Sequence, residues 1–199
     1  MNIEKEIKIL LSKEDYQRVK LLFEWDKEVT QKNYYYVNSE NITCYCNEPT
    51  IRIRKKEGKY KLQIKIGVGK EKSCLHVKEE YEKPMFSVPD TISRTELKEL
   101  TNADFKNDVL LIGNLVTCRK TCAIDDNTEI SLDKNFYLGI EDYEIEIEYV
   151  NNYPNEIMEY LSKNGITSNK PSVGKFSRFM RRNGLLINKK NSRYDSAVG

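Results

Sequence analysis

Apolar and polar residues alternate along much of this chain with a period of two, the spacing of a half-buried β-strand. Ile3 to Leu11 alternates in this way, and Val29 to Val37 carries the pattern in a tyrosine-rich form. Thr50 to Lys55 and Tyr60 to Ile66 alternate on either side of Glu57-Gly58-Lys59, which predicts a β-hairpin, since glycine supplies the positive φ of a tight turn. Cys74 to Tyr81, Leu115 to Ile124, Thr128 to Asp133 and Asp142 to Val150 read as further strands, with a turn at Asp125-Asp126-Asn127.

Four segments break the alternation. Ser12 stands as an N-cap before Lys13-Glu14-Asp15, whose acids suit the positive end of a helix, and Tyr16, Val19, Leu21, Leu22 and Trp25 give that helix an apolar stripe. Ser93 to Leu100 reads as helix, as do Pro154 to Lys163, stopped by Gly165, and Ser172 to Asn183, ended by Gly184. About eight strands, most following one another without a crossover helix, favour an antiparallel α+β sheet that curls or closes. No repeat or internal linker interrupts the chain, so residues 1–186 read as one domain, followed by a polar tail, 187–199.

Charged residues make up 32% of the chain, yet 33 Lys and Arg against 31 Asp and Glu leave a net charge of only +2. An ordinary soluble domain is nearer ~25% charged, so the excess needs a place in the fold. No apolar run approaches the roughly 18 residues of a membrane span, and Met1-Asn2-Ile3-Glu4-Lys5-Glu6 is too polar for a secretory signal. The five cysteines form no Cys-x-x-Cys pair, and the single histidine, His76, completes no metal box; free thiols in a reducing cytoplasm are the expectation. The small net charge gives little long-range attraction for nucleic acid. A surface that is not all polar is compatible with a homodimer.

The charges fall on alternate strand positions. Glu4, Glu6 and Lys8 share a face opposite Ile3, Ile7 and Ile9, and Arg52 and Arg54 lie opposite Ile51 and Ile53. Lys61, Gln63 and Lys65 oppose Leu62, Ile64 and Ile66; Glu144, Glu146 and Glu148 oppose Ile145, Ile147 and Tyr149; Lys78, Glu80 and Glu82 share one more face. On any single strand this is the solvated side of a half-buried sheet. Glutamates roughly 7 Å apart along a strand repel one another unless cations intervene, however, and acidic and basic rows occur on different strands. In a barrel closed with the charged face inward, the two populations meet in one cavity. Carboxylates there suit hard dications, and Arg and Lys suit the oxygens of a polyanion. That combination is the equipment of phosphoryl transfer.

Glu4-Lys5-Glu6-Ile7-Lys8 resembles the Glu-x-Glu-x-Lys signature of the CYTH superfamily, the triphosphate tunnel metalloenzymes, which joins class IV adenylate cyclases and thiamine triphosphatases. Arg52-Ile53-Arg54 resembles the family's Arg-x-Arg strand and Tyr60 to Lys65 its hairpin partner. Arg119, Leu132-Asp133 and Glu146-Ile147-Glu148 follow in the family's order, with Lys175 and Arg178 on a basic C-terminal helix. The likeness spans about residues 2 to 182, although Val37-Asn38-Ser39 departs from the Asp-Thr that usually follows the aromatic run.

The resemblance implies a closed eight-stranded antiparallel β tunnel with helices packed outside and a triphosphate in its lumen. It implies Mg²⁺ or Mn²⁺ held by Glu4, Glu6, Asp133, Glu146 and Glu148, with Glu144 a further carboxylate in register that could replace one of the last pair. Lys8, Arg52, Arg54, Lys65, Arg119, Lys175 and Arg178 would bind phosphates, and Glu4, Glu6, Lys8 and Glu148 would carry the catalytic roles. The expected activity is metal-dependent cleavage of the terminal phosphate of tripolyphosphate, thiamine triphosphate or a nucleoside triphosphate. A class IV adenylate cyclase is the alternative. A non-catalytic polyphosphate sensor is a third reading, against which the intact carboxylates argue.

Overall fold

The structure, a computed structural model, describes residues 2–38, 49–67, 75–167 and 172–184, without the side chains of residues 2–4 and 75–76. The side chains of Glu4 and His76, together with Cys44, Cys46, Cys74 and the tail 187–199, lie outside the described residues. The strands are β1 (Asn2–Leu11), β2 (Lys27–Asn38), β3 (Thr50–Lys56), β4 (Lys59–Gly67), β5 (Leu75–Met85), β6 (Thr91–Ile92), β7 (Val109–Asp125), β8 (Thr128–Tyr137) and β9 (Ile140–Tyr149). The helices are α1 (Lys13–Leu22), α2 (Arg94–Thr101), α3 (Asn155–Lys163) and α4, residues 175–184.

The local signals act as their chemistry requires. Ser12 and Ser93 cap α1 and α2, each side-chain oxygen accepting from the backbone N–H three residues on. Glu57 and Gly58 both have positive φ, +50° and +77°, and join β3 to β4 in a two-residue turn. Leu138 and Gly139 repeat that geometry at +47° and +76° between β8 and β9. This second hairpin lets β8 run on to Tyr137, past the Asp133 that alternation suggests; its turn begins with Leu138 and so lacks the Asn or Asp that marks such a turn in a sequence. β7 starts at Val109, ahead of the expected Leu115, since its first half pairs with β2 and with the two-residue β6.

Neighbouring strands pair in the order β2-β3-β4-β5-β1-β9-β8-β7, and β2 also pairs with β7, so eight strands close into an antiparallel barrel with β6 attached at one end of β7. The closing seam runs from Lys27↔Thr121 to Asn38↔Val109, with a bulge where Tyr35 faces Gly113 and Tyr36 faces Leu111. Closure decides which face is inside. Ile7, Ile9, Ile130, Leu132, Ile145 and Ile147 point outward and are buried by Tyr16 and Val19 of α1 and Leu161 of α3. Ile51, Ile53, Leu62 and Ile64 point outward beneath Leu97 of α2 and Ile92. The opposite faces, which carry the charges, line the lumen.

Three helices thus pack outside. α4 differs: its Phe179 and Met180 join the lumen-facing Tyr35, Val37, Leu115 and Tyr137 in a third apolar cluster, so it lies across one end of the tunnel. Phe179 packs on Tyr35 with ring centroids 5.1 Å apart. It also lies against Gly113, where an added Cβ would stand 2.9 Å from its Cζ and the backbone φ is +148°. Gly113→Ala therefore combines an unfavourable backbone with a clash. It should lower stability by about 1–3 kcal/mol, read as a fall in thermal midpoint, and a midpoint unchanged within a degree would show that α4 can shift at no cost.

Candidate active site

Inside the barrel a cavity of about 430 Å³ is walled by charge. Alternation on β3, β4 and β5 brings Arg52, Arg54, Lys65 and Lys78 to one arc of the wall, and alternation on β1 and β9 brings Glu6, Lys8, Glu146 and Glu148 to the facing arc. Arg119 enters from β7, and the first turn of α4 closes one end with Lys175.

Glu146 is the hub of the acidic arc. It accepts from Lys8, from Arg119 and, at 2.9 Å, from Lys175 Nζ. Lys8 also reaches Glu6 Oε2 at 2.5 Å. Arg119 grips Asp133 with two bonds, Nε to Oδ1 at 2.8 Å and Nη2 to Oδ2 at 2.6 Å, while its Nη1 lies 3.9 Å from Glu148. Lys175 stands 2.7 Å from Asp133 and also meets Glu144. Asp133 and Glu144 are fully buried under these cations. Two carboxylate sets, Glu6 with Glu146 and Glu148, and Asp133 with Glu144 and Glu146, each bring oxygens within 4.8 Å of one another.

Burial alone would push Glu6, Glu144 and Glu146 up. At Glu6, Lys8 together with Lys65 and Lys78 outweighs burial and the neighbouring Glu146, and Lys175, Lys8 and Arg119 hold Glu146 well below the usual range. For Glu144, Lys175 and Arg178 overcome burial and bring the carboxyl to about 2. The carboxylates in turn raise Lys8, Arg119 and Lys175 against the effect of burial. Arg54 behaves oppositely. Burial, with Arg52 and Arg119 nearby, pulls it down to about 9. An anion placed beside it would favour the charged guanidinium.

The CYTH domain model matches residues 2–163. The chain belongs to the CYTH domain family. It is 29% identical over 150 residues to the "Putative triphosphatase YjbK" of Bacillus subtilis (strain 168), covering 73% of this chain and 77% of that one. Its fold is similar to that of HpAC1 from Hippeastrum, described as a putative adenylyl cyclase with a dominant triphosphatase activity, at TM-score 0.67 and 21% identity over 88% of this chain and 94% of the other. It is also similar to a putative adenylate cyclase of Bacillus halodurans, at TM-score 0.61 and 23% identity over 90% and 99% of the two chains. No helix among the described residues is long and apolar enough to cross a membrane.

In this CYTH domain Glu6, Lys8, Arg52, Arg54, Lys65, Arg119, Glu146, Glu148 and Lys175 all line one cavity. Glu4 lies on β1 with the alternation of Glu6 and pairs in register with Lys78. Asp133 and Glu144 sit behind the cavity wall. Arg178 turns away from the cavity: its Nε donates to Asp142 Oδ2 at 2.8 Å, its Nη groups reach Asp142 and Glu144 at 3.1 Å, and Nη1 donates to Val173 O at 2.5 Å. Asp142 carries the signal that would have flagged it, standing two residues before Glu144 on the same face. Asn33 and Asn135 are buried polar members of the lumen that charge alternation passes over because they are neutral, and Gln63, which alternation places on the face of Lys61 and Lys65, is buried with them.

Arg178, Asp142 and Glu144 form the clasp that anchors α4. Arg178→Met should cost about 3 kcal/mol, since it leaves buried carboxylate behind. The clasp is also acid-sensitive. Glu144 has a depressed folded pKa, so its contribution is complete above its ordinary 4.5 and disappears as pH falls through about 2. In metal-free buffer the stability gap between the wild type and Arg178→Met, measured by urea unfolding, should shrink across that window. A gap independent of pH would remove Glu144 from the clasp.

Proposed function

We propose that this tunnel is a divalent-metal-dependent triphosphatase that cleaves the terminal phosphate of a triphosphate. The observation that carries this reading is the opposition, across one cavity, of an arginine and lysine arc and a carboxylate arc neutralised by its own cations. The name of the Bacillus subtilis relative and the activity stated for HpAC1 support it.

Glu6, Glu146 and Glu148 fit a hard dication such as Mg²⁺ or Mn²⁺: they offer oxygen donors only, converge within 4.8 Å and line the cavity. Glu4 joins this set by its position on β1. A dication bound there supplies charge neutralisation at the phosphates and acidifies water. Asp133 and Glu144, behind Lys175, instead keep Arg119, Lys175 and Arg178 in place.

Arg52, Arg54 and Lys65 bind the phosphate chain, with guanidinium forks matching pairs of phosphate oxygens. Lys8, Arg119 and Lys175 bridge carboxylate and substrate, exchanging part of their carboxylate contact for phosphate as the anion enters. Water adds to the terminal phosphorus, the bridging P–O bond breaks, and orthophosphate and the shortened phosphate chain are released. The lumen's fixed charges contribute by being oriented before the substrate arrives.

A panel of tripolyphosphate, thiamine triphosphate and ATP, assayed with Mg²⁺ and with Mn²⁺, should release orthophosphate, and EDTA should stop it. Cyclic AMP with pyrophosphate from ATP would identify a cyclase instead, and tight binding without turnover a sensor. Glu146→Gln should lower turnover roughly ten- to a thousandfold, on the scale of losing one preorganised electrostatic group. Arg54→Ala should act mainly on KM. Full turnover by Glu146→Gln at saturating metal would remove that residue from the metal set.

A further inference from the structure

Two arginines of the lumen are held unlike its other cations. Lys8, Arg119, Lys175 and Arg178 all meet carboxylates. Arg52 and Arg54 instead direct Nε–H to neutral amide oxygens, Arg52 to Gln63 Oε1 at 2.9 Å and Arg54 to Asn33 Oδ1 at 3.0 Å. Among the described residues neither guanidinium forms a salt bridge.

The amides are built into the wall. Asn33 is fully buried and Gln63 is 5% exposed. Because arginine only donates, each amide must present its oxygen to the guanidinium. Gln63 then turns its Nε2 toward β5, donating to Glu80 Oε1 at 3.2 Å and to Glu82. It therefore stands between Arg52 and two carboxylates that could otherwise neutralise it. Asn33 Nδ2 is buried with no partner, so the side chain is retained at this position for its oxygen and at some cost. Using Nε leaves the Nη groups of both arginines to the cavity that these residues line.

We infer that Gln63 and Asn33 are positioning residues that fix the planes of Arg52 and Arg54 for substrate phosphates while leaving their charge intact. A carboxylate in either place would hold the guanidinium equally well and cancel its charge before the substrate arrived. The inference rests on the triphosphatase reading of the cavity and extends it to residues that act through the arginines they hold.

The test compares wild type, Gln63→Glu, Asn33→Asp and Gln63→Met. Steady-state kinetics on tripolyphosphate are run over a salt series, and tripolyphosphate binding is titrated calorimetrically in EDTA. Gln63→Glu and Asn33→Asp should raise KM about tenfold or more, the scale of one charge-assisted hydrogen-bonding group, with kcat changed less than about threefold. Their KM should also depend less steeply on salt, because one lumen charge has been cancelled. Gln63→Met keeps the side-chain volume without charge or acceptor, and should raise KM while keeping the wild-type salt dependence. It also provides a readout if a carboxylate variant fails to fold. Folded variants that match the wild type in KM and salt dependence overturn the inference and leave the triphosphatase reading standing. A wild type that neither binds nor hydrolyses tripolyphosphate overturns that reading and the inference with it.

Discussion

Charge balance inside a closed barrel is the constraint on which this molecule depends. The β2–β7 pairing removes the sheet's edges and turns one face of every strand inward. The outward faces are apolar and are covered by α1, α2 and α3, so hydrophobic burial stabilises the fold from outside the barrel rather than within it. The lumen is left to charged side chains that have lost much of their water. Buried carboxylates are tolerable only when cations and hydrogen bonds replace that water, and Lys8, Arg119 and Lys175 converge on Glu146 for this reason.

Balance is local rather than uniform. On β1, β8 and β9 each described buried carboxylate has a cation beside it. On β3 the two arginines have amides. The lumen is consequently polarised across its width, with paired carboxylates facing two arginines that hydrogen-bond to neutral amides. Such a wall offers a polyanion guanidinium groups without a salt bridge to break, and it presents oxygen donors to a dication on the other side. Near-neutral composition and strong local fields are compatible because the two arcs are separated in space and only their sum is small.

α4 connects this electrostatics to the barrel's integrity. Its apolar side fills one end of the tunnel through Phe179, while Lys175 and Arg178, three residues apart on the helix, share Glu144 and otherwise diverge, Lys175 to Asp133 and Glu146 and Arg178 to Asp142. Lys175 meets the cavity and Arg178 is tied to Asp142. A single helix thus closes the lumen, anchors itself and contributes a cation to the site.

Much of the fold and most of the candidate site are legible in the chain itself. Strand alternation is a local property, so it identifies that Glu144, Glu146 and Glu148 share a face and that Arg52 and Arg54 share another, and serine caps and glycine turns mark where elements begin and end. Alternation is silent on three matters. It does not distinguish a solvated face from a lumen, because both are polar. It does not separate the roles of Lys175 and Arg178, which differ only in the partners they meet. It also passes over Asn33, and it places Gln63 on a polar face without showing that both amides meet arginines. Those matters were decided by the pairing of β2 with β7 and by the docking of α4, contacts between residues far apart in the chain. The period of a strand fixes which side chains travel together, but only closure determines what they face.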